Sequence, residues 1–129
     1  MSNGEGKNVR LPKPNKRVEW IGSSKKDLMS FPDEVRHDIG FALTVAQSGG
    51  KHESAKPWKG LGSGVMEIVS DYDTNTYRAI YTVNIGNVIY VLHAFQKKSK
   101  SGIGTPKEEI EMINTRYKKA VELSKKKKR

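Results

Sequence analysis

Residues 64–95 read GVMEIVSDYDTNTYRAIYTVNIGNVIYVLHAF, and this stretch decides the fold. Three apolar-rich segments, Gly64–Ser70, Thr76–Val83 and Val88–Phe95, are separated by the turn-forming runs Asp71–Asn75 and Asn84–Asn87. Connections this short join antiparallel neighbours, so the stretch predicts a three-strand meander. Val88–Phe95 is almost continuously apolar, as expected of a strand flanked on both sides and covered on at least one face. In Thr76–Val83, alternation places Arg78 with Thr76, Ile80 and Thr82 on one face. Tyr77, Ala79, Tyr81 and Val83 fall on the other.

Working outward, Arg17–Ile21 (RVEWI) predicts a short strand, and Ser23 or Ser24 can open a helix running to about Met29. Pro32 suits the start of a second helix, along which Val35, Ile39, Ala42, Leu43 and Ala46 recur at helical spacing until Gly49-Gly50. Lys51–Gly64 reads as a Gly- and Lys-rich loop. A last helix is expected over about 106–124, with Ile110, Ile113, Tyr117, Ala120 and Val121 on one stripe. The expected fold is α+β: a curved antiparallel sheet with an N-terminal helical hairpin and a C-terminal helix. The helices are expected on one face, leaving the other partly open. Residues 1–16 read as a flexible leader, 17–123 as the domain and 124–129 as a basic tail.

The chain has 129 residues and a formal net charge of +10, of which residues 97–129 carry +8. Such asymmetry points to a polyanionic partner, nucleic acid first and an anionic membrane surface second. There is no Cys, which removes disulfides, thiol catalysis and Cys-ligated zinc. His37, His52 and His93 show no metal-ligand spacing, and neither metal nor cofactor is expected. No apolar run approaches the roughly 20 residues of a membrane helix, so no membrane association is expected. The polar start MSNGEGKNVR lacks a signal-peptide core, and a cytoplasmic location is the expectation.

The ordered set SFPDEVRHDIGFAL, KPWKGLGSGVMEI, TYRAIY and VIYVLHAFQKKS resembles the phage-related, HigB-like toxins of the RelE/ParE superfamily of type II toxin–antitoxin systems. The resemblance covers about residues 17–122. It implies a RelE/ParE-like fold, ribosome-dependent cleavage of mRNA in most branches, and a cognate helix-turn-helix antitoxin. Part of the superfamily inhibits DNA gyrase instead. A gyrase inhibitor and a non-catalytic nucleic-acid-binding protein are therefore the alternatives.

Metal-free RNA cleavage uses the ribose 2′-OH as nucleophile and needs cations around the phosphate. In the resemblance, Arg78 of Y-R-x-x-Y matches the phosphate-stabilising position. An ion pair with Glu67 is its structural alternative, and Glu67 could also orient it or act as a base. Lys97 and Lys98 follow the apolar strand and are expected beside Arg78. Lys100 lies just beyond. Lys56, Trp58 and Lys59 combine cations with one aromatic, a combination that can hold phosphate while stacking a base. His93 has the right intrinsic basicity for proton transfer, but its apolar neighbours favour a hydrogen-bonded core histidine.

Overall fold

A computed structural model describes residues 16–97 and 104–127. The leader reading for residues 1–15, together with Lys98 and Lys100, lies outside the described residues. The order is β1 (Arg17–Trp20), α1 (Ser24–Met29), α2 (Asp33–Gln47), β2 (Ala55–Pro57), β3 (Val65–Tyr72), β4 (Asn75–Thr82), β5 (Val88–Lys97) and α3 (Lys107–Lys127). The five strands form one sheet in the order β1-β5-β4-β3-β2.

The meander is present, with β3–β4 and β4–β5 antiparallel. Asp73 and Thr74 make the first turn at positive φ (52° and 65°), so both central residues are left-handed. Two expectations need correction. The sheet is mixed, because β1 pairs parallel to β5. The segment read wholly as a loop contains β2, a three-residue edge strand on β3.

The placement of the helices is the third correction. α2 covers one face, where Val35, Ile39, Ala42, Leu43 and Ala46 pack with Ile68, Tyr77, Ala79, Tyr81, Ile89 and Val91. Burial there pushes the Tyr81 hydroxyl pKa up to about 12. α3 lies on the opposite face, where Ile113 and Ala120 pack with Val65, Ile80, Tyr90, Leu92 and Phe95. A sheet apolar on both sides needs both covered. The stripe expected on α3 is buried at Ile113 and Ala120, while Ile110 stays 37% exposed.

β5 carries a register shift. Ile80 pairs with His93, but Tyr81 pairs with Val91. The extra residue is a β-bulge, which switches the phase of alternation. Before it, Val88, Tyr90 and Leu92 face α3; after it, His93 and Phe95 do. The bulge thereby turns the end of β5 toward the face that carries Arg78.

Candidate functional site

Arg78 stands on the α3 face of β4, next to Ile80 and across from Val69 on β3. The registers Lys56↔Glu67 and Glu67↔Ile80 put Lys56 and Glu67 on the same face. Glu67 is buried, its side chain only 5% exposed, and its Oε2 accepts a hydrogen bond from Arg78 Nη1. Lys56 Nζ stands 4.0 Å from Glu67 Oε1. Arg78 Nε is buried without a partner among the described residues.

These groups form the floor of a cleft of about 570 Å³. Pro57, Trp58 and Lys59, at and just beyond the end of β2, make one wall; Thr105 and Ile110, at the start of α3, make the other. The expected open face is thus narrowed by α3 to a slot over Arg78. Trp58 packs part of its ring against the α3-side core while still lining the slot. The Trp58 backbone N–H donates to Val65 O at 2.8 Å, which fixes the loop to the sheet.

Of the residues expected at the site, Lys56, Trp58, Lys59, Glu67 and Arg78 are brought together in this cleft. Lys97 pairs with Thr76 while Arg78 pairs with Phe95. Lys97 is therefore a diagonal cross-strand neighbour of Arg78, roughly 7–8 Å away between backbones.

His93 is not in the cleft. It is buried under α3, with its ring stacked on Phe95 at 5.0 Å between centroids. Its Nε2 lies 2.6 Å from Glu109 Oε1, and its Nδ1 lies 3.4 Å from Arg116 Nη1. Arginine can only donate, so Nδ1 accepts and Nε2–H donates to Glu109. Both ring nitrogens are engaged in holding α3 to the sheet.

Sequence reasoning named Ile110 only as part of the apolar stripe of the last helix and assigned no role to Thr105 or Arg116. Arg116 carries a visible signal, since it lies beside the stripe Ile113–Tyr117–Ala120. An arginine bordering an apolar stripe needs an acceptor when it packs down. Here it finds Leu92 O at 3.1 Å and Ser23 Oγ at 3.0 Å. Thr105 and Ile110 give no such signal.

The site of this small α+β domain is thus a guanidinium–carboxylate pair at the base of a lysine-rimmed cleft, an arrangement whose cations can attract an anion beside an aromatic ring. Residues 26–118 match the family model described as Phage derived protein Gp49-like (DUF891), and the chain belongs to that family. It is generally a family of toxins from toxin–antitoxin systems, which implies an antitoxin partner. No curated protein matches the chain. Among the described residues no helix is long and apolar enough to cross a membrane.

Proposed function

We propose that this chain is a HigB-like toxin that cleaves mRNA on the ribosome without a metal ion. The observation that supports this reading is the cleft itself: Arg78 held by Glu67, with Lys56, Lys59 and Trp58 around it. The RNA backbone lies along the lysines, and a base stacks at Trp58. The ribose 2′-oxygen attacks the adjacent phosphorus and the bond from phosphorus to the 5′-oxygen breaks. The products are a 2′,3′-cyclic phosphate and a 5′-hydroxyl, the proton of the 2′-OH leaving and one arriving at the 5′-oxygen. Arg78 and Lys97 stabilise the extra negative charge on the phosphorane. Glu67, buried and facing two cations, orients the guanidinium.

The test is an mRNA in a translating extract, with its 5′ ends mapped, alongside a supercoiling assay with DNA gyrase. Arg78→Lys keeps a cation opposite Glu67 but loses the planar fork. Cleavage is expected to fall by roughly 100-fold in this variant, the order lost when one transition-state donor is removed. Intact mRNA with the folded wild-type chain sinks the reading, and blocked supercoiling in the same preparation would replace it with gyrase inhibition.

A further inference from the structure

Ile110 departs from the pattern of its own helix. It belongs to the α3 stripe with Ile113 and Ala120, which are fully buried, yet it is exposed and lines the cleft over Arg78. The difference follows from what lies beneath each residue. Ile113 and Ala120 rest on Val65, Ile80 and Leu92. Ile110, about one turn earlier, stands over the part of the sheet that offers Arg78 and Glu67. Charged groups give an aliphatic side chain no apolar area to bury against. Across the cleft is Trp58.

Both walls of this gap are fixed by the fold. Trp58 is held by its backbone bond to Val65 O and by packing on the α3-side core. On the other side, Glu109 immediately precedes Ile110, and its Oε1 lies 2.6 Å from Nε2 of His93, whose ring is stacked on Phe95. Walls set in place beforehand cost little ordering entropy when something binds between them. Thr105 shares the wall with Ile110, and its hydroxyl has no hydrogen-bond partner among the described residues.

One aromatic wall and one aliphatic wall, above a floor that carries Arg78 and Lys56, suit a flat ring joined to an anion. We propose that Ile110 and Trp58 enclose a single nucleobase, that Thr105 hydrogen-bonds to its edge, and that its phosphate rests on Arg78 and Lys56. The ligand class is a nucleoside monophosphate, free or within a single strand. A base inside a duplex is excluded, because both of its faces are already stacked. Ile110 sets how tightly the base is held. This deepens the reading of the cleft as an RNA site and does not rest on cleavage or on the ribosome.

The test is an NMR titration of the full chain at low salt, read at the two tryptophan indole N–H signals. The probes are adenosine 3′-monophosphate, ribose 5-phosphate and inorganic phosphate. The Trp58 signal should shift with the nucleotide, while Trp20, packed on the α2 face of the sheet, serves as the control that does not move. The nucleotide should bind about 10-fold tighter than ribose 5-phosphate, the order of one base stack. Ile110→Phe supplies a second aromatic face and should tighten nucleotide binding about 5-fold. Ile110→Ala removes the aliphatic face and should weaken it about 5-fold. Neither should alter binding of ribose 5-phosphate, and both should melt close to wild type because Ile110 is exposed. The proposal is overturned if the nucleotide binds no tighter than ribose 5-phosphate, or if both Ile110 variants bind it as wild type does. Cleavage of mRNA on the ribosome is scored separately with the same wild-type chain. Nucleotide binding with intact mRNA sinks the nuclease reading alone; cleavage without preference for the nucleotide over ribose 5-phosphate sinks this proposal alone.

Discussion

Glu67 is the residue whose environment constrains every experiment on the cleft. Its carboxylate is almost fully buried, and its strong partner is Arg78, itself only 16% exposed. Lys56, at 4.0 Å and 60% exposed, is a weak substitute. Removing one member of a buried pair strands the other charge, at a cost of about 3–5 kcal/mol. Arg78→Ala is therefore expected to destabilise the fold by about 3 kcal/mol, at the low end because Lys56 remains. Glu67→Gln combined with Arg78→Gln should recover part of that loss, since two neutral amides leave no unpaired charge. Urea unfolding of the three variants checks this. An Arg78→Ala midpoint equal to wild type would mean that the pair is not desolvated. The corollary is practical: loss of toxicity in Arg78→Ala alone mixes chemistry with stability, and Arg78→Lys separates them.

α3 is held by polar contacts at Glu109 and Arg116 and by apolar packing at Ile113 and Ala120. Arg116 reaches Leu92 O and Ser23 Oγ, and Ser23 Oγ donates to Asp27 Oδ2 at 2.8 Å, tying α3 to β5 and α1 together. Gly22 permits this: its φ is +56°, and a Cβ there would sit 2.8 Å from Arg116 Cζ. Arg116→Ala is expected to cost about 2 kcal/mol, the range for hydrogen bonds from a charged donor. It should also speed amide exchange in the first turns of α3, which form one wall of the cleft. Unchanged exchange there would show that Ile113, Ala120 and the His93–Glu109 contact seat the helix without Arg116. This element also marks what sequence could tell. The β3–β4 turn is short, so the pairing of Glu67 with Arg78 was open to reading as an alternative. The faces of β4 were legible because Tyr77, Arg78, Ala79 and Ile80 alternate. The phase of β5 was not, since a strand apolar at nearly every position carries no period, and a bulge inside it leaves no trace. β1 pairs in parallel with β5 across some 70 residues, and no local signal specifies such a contact. The side taken by α3 was hidden for the same reason.

On the scale of the whole molecule, residues 97–129 carry +8 of the net charge of +10. Lys56 and Lys59 belong to the cleft. Lys118, Lys119, Lys125 and Lys126 are exposed on the second half of α3, whose first turn carries Glu108 and Glu109. Acidic residues at a helix start and basic ones at its end suit the helix dipole, but that effect fades beyond the terminal turn. Lys118 and Lys119 lie more than a turn from the end, so the dipole does not account for them. If they lie along a nucleic-acid backbone, each neutralised phosphate releases counterions, and affinity falls with salt by a slope of roughly 0.7 per contact on a single strand. Replacing Lys118, Lys119 and Lys125 by Gln should therefore lower affinity for a single-stranded RNA and flatten the salt slope by about 2. Thermal stability should hardly change, because these side chains are solvated. Filter binding across a salt series reads the slope directly. An unchanged slope would assign those three lysines to solubility rather than to contact with the backbone.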